Sequence, residues 1–252
     1  MPVTLTVVGS GDAFGTGGRH NACFMVDTGG YRFLMDCGAS SIAGLKQLGV
    51  SPASISAILC THFHGDHIGG VPFVLRDPLS AAREQELVLA GPPGMESRVM
   101  MLTEALFPGS TAAPGRGISF PMRYVELGPG VPGAGAPVTV GPLDVEAIPV
   151  RHSEATRPHA IRVGVAGRIV AYTGDTEWTD DLYRLAEGAD LLIADGSALT
   201  PTKGHLDVQT LSERRSGLDC GRILLTHPGE EVLAVIDELD LEYAFDGMVL
   251  EV

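Results

Sequence analysis

At 252 residues, 44% of them hydrophobic and 19% charged, the chain can bury one large core or two small ones and is too apolar to be disordered. Its 17 Lys and Arg against 31 Asp and Glu give a formal charge of −14. That balance removes the positive field that draws proteins to polyphosphate backbones and anionic membranes, so neither a long nucleic acid nor a membrane is an expected partner.

In chain order, residues 4–8, 23–26 and 31–36 are expected as strands, broken at Gly9-Ser10-Gly11 and Thr28-Gly29-Gly30. The start carries no basic segment ahead of its short apolar run, so it reads as a first strand rather than a signal peptide. Residues 40–48 are a helix stopped by Gly49, and 55–61 a buried strand that delivers the chain into Thr61-His62-Phe63-His64-Gly65-Asp66-His67. A strand at 87–90 and a helix at 95–106 follow, then a glycine- and proline-rich loop at 128–135. Strands at 138–150, 160–165, 169–173, 191–195 and 222–226, with helices at 179–187 and 207–216, complete the pattern. Strand-rich halves with helices outside predict a layered α/β domain, and matching chemistry on both sides of the 128–135 loop predicts a single domain over 1–252.

No window approaches the roughly 18 apolar residues of a membrane span. Cys23, Cys37, Cys60 and Cys220 are scattered without a C-x-x-C pair, which reads as reduced core thiols in a cytoplasmic protein. Gly9-Ser10-Gly11 lacks the third glycine and following helix of a dinucleotide loop, and Ser153 has no triad around it.

The chemistry concentrates in histidines. Three of the eight, His62, His64 and His67, fall within six positions, with Asp66 among them. Imidazole and carboxylate suit zinc and related divalent ions. On an extended segment His62 and His64 share a face, and a helix starting near Gly65 would turn Asp66 and His67 toward a second ion. His152, Asp175 and His227 each follow a strand-like run, so they would converge with the first cluster on one sheet edge.

This pattern, H-x-H-x-D-H, then a lone His, a Gly-Asp and a Thr-His, resembles the metallo-β-lactamase-fold hydrolases over nearly the whole chain. The resemblance implies an αββα sandwich with a dinuclear site at one edge. Carried over, His62, His64 and His152 would hold one ion, Asp66, His67 and His227 the other, and Asp175 would bridge them. Asp36-Cys37-Gly38, Gly204-His205-Leu206-Asp207, Leu225-Thr226-His227 and Phe245-Asp246-Gly247-Met248 resemble the ribonuclease Z-like branch more closely, in particular the phosphodiesterase of the carbon–phosphorus lyase pathway. There a histidine placed like His205 assists the leaving group or holds a phosphate oxygen. Two departures stand out: no cysteine-rich zinc loop follows Gly9-Ser10-Gly11, and no long basic arm lies between His67 and His152.

The expectation is therefore a metal-dependent hydrolase of a small or cyclic phosphodiester, acting through a metal-bridging hydroxide. Asp66 would accept a proton and His205 would donate one. Zinc is the default ion, with manganese and iron acceptable to the same donors. A carboxylic ester, lactone or thioester hydrolase with the same cage is the alternative. Transfer-RNA processing and a non-catalytic metal-binding role rank below both. Relatives in this branch are often dimers, so a homodimer is allowed. Asp36 could orient a ligand histidine or cap its turn. Arg19, His20 and Asn21 could reach the substrate or form a solvated loop. His159 reads as structural or exposed, and Trp178 as packing, with Glu177 beside it left outside the site.

Overall fold

The computed structural model describes residues 2–80, 83–110, 117–128, 131 and 136–252. The 128–135 loop lies outside them except for Gly128 and Val131. The strands are β1 Thr4–Gly9, β2 Cys23–Asp27, β3 Arg32–Met35, β4 Ala57–Leu59, β5 Leu87–Gly91, β6 Met122–Glu126, β7 Val138–Val140, β8 Leu143–Pro149, β9 His159–Val165, β10 Arg168–Tyr172, β11 Leu191–Asp195, β12 Ile223–Thr226 and β13 Val249–Glu251. The helices are α1 Ser41–Gln47, α2 Gly65–Ile68, α3 Val71–Arg76, α4 Met95–Leu106, α5 Asp181–Ala186, α6 Val208–Arg214 and α7 Glu230–Leu233. A seven-stranded sheet ordered β13-β1-β2-β3-β4-β5-β6 faces a six-stranded sheet ordered β12-β11-β10-β9-β8-β7.

Period-two patterning builds four layers. Along β3, Phe33 and Met35 point into the core between the sheets, while Leu34 points out beneath the helices. Along β11, Leu191 and Ile193 face inward and Leu192 and Ala194 outward. Helices α1, α3 and α4 cover the first sheet through Leu45, Val74 and Val99, and α5 and α6 cover the second through Leu182, Leu185 and Leu211. The result is the expected αββα sandwich. Cys23, Cys37 and Cys60 lie in the outer core of the first sheet, where burial pushes their thiols well above the ordinary cysteine range and keeps them inert. Among the described residues no helix is long and apolar enough to cross a membrane.

Three differences from the sequence reading have local causes. The strand expected at 55–61 is ordered as strand only over Ala57–Leu59, because the Thr61 amide leaves the ladder to donate to Asp36 Oδ1 at 2.7 Å. The strand expected at 138–150 is a hairpin, turned at Gly141 with φ of 60°. Four short elements were not foreseen: α3, the edge strand β6, α7, and β13, which pairs with β1.

Strand direction positions the site. Strands β3 and β4 are parallel, β10, β11 and β12 are parallel, and β8 runs with β10 because both are antiparallel to β9. The C-terminal ends of β4, β8, β10 and β12 therefore open on one edge and lead directly into His62–His67, His152, Asp175 and His227.

Candidate metal centre

The loop after β4 places His62 and His64 side by side, and α2, starting at Gly65, turns Asp66 and His67 in behind them. Two groups result, each with one ligand atom per residue and all such atoms within 4.8 Å of one another: His62, His64, His152 and Asp175, and Asp66, His67, Asp175 and His227. In the first, His64 Nδ1 lies 3.1 Å from both His62 Nε2 and His152 Nε2, and Asp175 Oδ2 is 3.7 and 3.8 Å from those two nitrogens. In the second, Asp66 Oδ2 lies 3.2 Å from both His67 Nε2 and His227 Nε2, and Asp175 Oδ1 is 3.2 Å from His67 Nε2. Asp175 belongs to both groups.

The partners of the remote ring nitrogens fix which nitrogens face inward with a lone pair. His152 Nδ1 donates to the Gly204 carbonyl at 2.7 Å, and a carbonyl can only accept. His67 Nδ1 donates to Asp36 Oδ2 at 2.6 Å. Thr61 Oγ1 donates to Asp36 Oδ2 at 2.8 Å and so accepts from His62 Nδ1 at 3.0 Å. In the neutral rings, three Nε2 lone pairs thus converge on a space flanked by two buried carboxylates, and His67 Nε2 is buried with no hydrogen-bond partner. Convergent acceptors with no donor between them suit divalent cations, and the residues fit a dinuclear site.

The electrostatics agree. Burial would raise the Asp66 carboxyl, but the hydrogen bond from His227 and the charge of the neighbouring His67 ring outweigh it and hold the group well below the usual carboxylate range. Asp175 is likewise held low, with His227 and His67 outweighing its burial. Burial pulls His67 and His227 down, yet Asp175 outweighs it in both, aided by Asp36 for His67 and Asp66 for His227. His67 ends well above the ordinary histidine range and His227 at about 9. His62 goes the other way, lowered by burial and by His67. The protein alone therefore concentrates negative charge here and neutralises it with protons on two rings.

His205 stands beside both groups, its ring centroid 5.1 Å from that of His152 and 5.3 Å from that of His227. Its Nδ1 lies 2.8 Å from Asp195 Oδ2, and Asp195 is fully buried at the end of β11. Burial lowers His205, but the Asp195 hydrogen bond outweighs it and raises the ring above its ordinary value. Asp195 was not foreseen, although it ends an apolar run just as Asp175 follows one. Its other contacts, accepting from the Ser197, Thr176 and Leu206 amides at 3.1–3.3 Å, lock it in place.

The remaining candidates sort by contact. Arg19 donates to Ser10 Oγ and the Ala244 carbonyl, and Asn21 joins the Asp12 carbonyl to Ser40. These contacts brace the loop, in which Arg19 and His20 stay half-buried. Asp246 accepts from the Ser10 and His20 amides, and the Ser10 carbonyl accepts from the His227 amide, so the C-terminal turn supports His227 at its φ of 65°. His159 is fully buried, and Trp178 packs against the outer core of the second sheet. A cavity of about 1210 Å³ opens beside His152, with Arg151, Arg157, Arg214 and Trp178 in its wall together with Glu154 and Asp181.

Residues 31–228 match the family described as the beta-lactamase superfamily domain. A ribonuclease Z of Salinibacter ruber is 30% identical over 251 residues, covering 96% of this chain and 72% of that protein. The metallo-beta-lactamase fold protein YhfI from Bacillus subtilis superposes with a TM-score of 0.76 at 22% identity over 100% of both chains. A diphosphatase from the PhnP family gives 0.75 at 21% identity, covering 99% of this chain and 98% of that one. At these identities the two structures speak for the fold.

Proposed function

This chain belongs to the beta-lactamase superfamily as a ribonuclease Z-like hydrolase, and we propose that it hydrolyses a small or cyclic phosphodiester at a two-ion site. In this reading His62, His64 and His152 would hold one divalent ion and Asp66, His67 and His227 the other, with Asp175 available to both. Bound there, two such ions would supply Lewis acidity toward phosphoryl oxygens and a water ionised near neutral pH. Zinc is the ion we assign first, since His and Asp donors also accept manganese and iron.

The observation that carries the phosphodiester reading is the Asp195–His205 pair beside both groups. With Nδ1 held by Asp195, Nε2 is the nitrogen left for a substrate. Asp195 stabilises the charged ring, so His205 can hold a proton at neutral pH and release it to the departing alkoxide. Asp66, at the edge of the space the two ions would occupy, is the carboxylate we assign to take up the proton of the attacking water. The arginines of the adjoining cavity face the non-reacting part of an anionic ester, while their acidic neighbours leave no continuous basic track for a long polynucleotide. The Salinibacter relative is by name a ribonuclease, which acts on the same bond type. The charge of −14 and the lack of a basic arm favour a small ester over transfer RNA.

The test is a substrate panel of bis-p-nitrophenyl phosphate, cyclic nucleotides, lactones and p-nitrophenyl acetate, run with zinc- and manganese-loaded protein. Turnover of phosphodiesters in preference to carboxylic esters supports the proposal. Turnover of lactones or acetate with none of the phosphodiesters overturns it.

A further inference from the structure

Three segments that carry site residues meet at Glu177. Its backbone amide donates to the Arg151 carbonyl at 2.9 Å, and the Arg151 amide donates to Thr176 Oγ1 at 3.1 Å, so the segment after Asp175 is stitched to the one that carries His152. Its side chain then reaches a third segment: Glu177 Oε1 accepts from the Gly204 amide at 2.9 Å. Gly204 directly precedes His205, and its carbonyl is the group that accepts from His152 Nδ1 at 2.7 Å.

Gly204 sits at φ of +87°, and a Cβ there would lie 3.2 Å from His152 Nδ1, so the position requires glycine. Glycine has little steric preference of its own for that angle. The peptide before Gly204 is held by Glu177 and the peptide after it by His152, and the two hydrogen bonds together fix the rotation between them.

We propose that Glu177 is a positioning residue: through the Gly204 peptides it sets the tautomer and orientation of His152 and the placement of His205. This rests on His152 being a ligand and His205 the proton donor. The Arg151 guanidinium, at 3.7 Å from Glu177 Oε2 and with 68% of its side chain exposed, forms an ion pair of little energetic weight. The role therefore belongs to a correctly placed acceptor oxygen rather than to the charge. Glutamine retains that oxygen, whereas aspartate retains the charge and falls one methylene short.

The test compares Glu177→Gln, Glu177→Asp and Glu177→Ala with the unaltered chain. Zinc affinity of each ion is measured by chelator competition, the cobalt-loaded absorption spectrum is recorded, and kcat and KM are determined for bis-p-nitrophenyl phosphate. Loss of a group that orients a ligand histidine costs about 10–100-fold in metal affinity. The Ala and Asp variants are expected to weaken one ion by about tenfold or more, alter the cobalt spectrum and lower kcat with KM little changed, while Gln restores all three. Unchanged affinity in Ala and Asp, or a Gln variant as impaired as Asp, overturns the proposal. If Ala fails to fold, the Gln–Asp contrast decides alone. The affinity and spectral readouts hold even if phosphodiesters prove not to be substrates.

Discussion

Asp36 Oδ2 lies 2.6 Å from His67 Nδ1, with both side chains fully buried at the floor of the site. The same carboxylate accepts from the Thr61 amide and hydroxyl, so one group at the end of β3 orients His67 directly and His62 through Thr61. Such partners of ligand histidines set tautomer, ring angle and basicity.

Replacing Asp36 separates these roles. Asp36 sits at φ of 58°, a region that asparagine tolerates, so Asp36→Asn removes the charge with little backbone strain. Its expected effect is about 10–100-fold weaker binding of the ion held by His67, read by chelator competition. Asp36→Ala also strands the Thr61 donors in a buried place, and the denaturant midpoint should show a further loss of about 1–3 kcal/mol. Equal metal affinity in the Asn variant would contradict the role assigned to Asp36.

Metal uptake should expel protons. In the metal-free protein His227 titrates at about 9 and His67 well above its ordinary range, so at pH 7.5 both rings are charged. Ligation through Nε2 needs a lone pair there, so loading both ions should release about two protons, and affinity should climb as pH rises toward 9. Titration calorimetry in buffers of differing ionisation heat counts these protons. A count near zero would show that these rings are not the ligands.

His159 gives the fold a separate acid sensitivity. Burial outweighs a backbone contact with Arg157 and holds this ring at about 4 against an ordinary 6.5. The unfolded chain therefore binds the proton first as pH falls. The native state keeps its full stability above pH 6.5 and loses up to about 3 kcal/mol as pH drops toward 4. His159→Phe removes the titrating group, so the difference in stability between the two proteins should change by that amount from pH 7 to pH 4. A constant difference would show that His159 is solvated or paired.

The residues that the structure brings together at the candidate site were legible because each follows an apolar strand or sits in the dense His62–His67 cluster, and parallel strands bring their ends to one edge. Helix α4 and strand β11 were legible to the residue, since their apolar patterns end at clear boundaries. The short elements were not. In α3 a glycine pair precedes only six helical residues, of which Pro72 is the second; β6 is an edge strand without clean alternation, α7 has four residues and β13 three. Asp195 and Glu177 escaped for another reason: their roles come from partners 10 and 27 residues away, which no local spacing encodes.

The most direct measurement is hydrolysis of a cyclic nucleotide, whose leaving group is an alkoxide, by zinc- and manganese-loaded protein, with a chelated sample and the His205→Ala variant alongside. A positioned general acid contributes about 10²–10⁴-fold, so kcat should fall by about 10² or more in the variant while both ions remain bound, and chelation should abolish turnover. Turnover that survives chelation, or a variant as active as the unaltered protein, would contradict a two-ion phosphodiesterase with His205 as its proton donor.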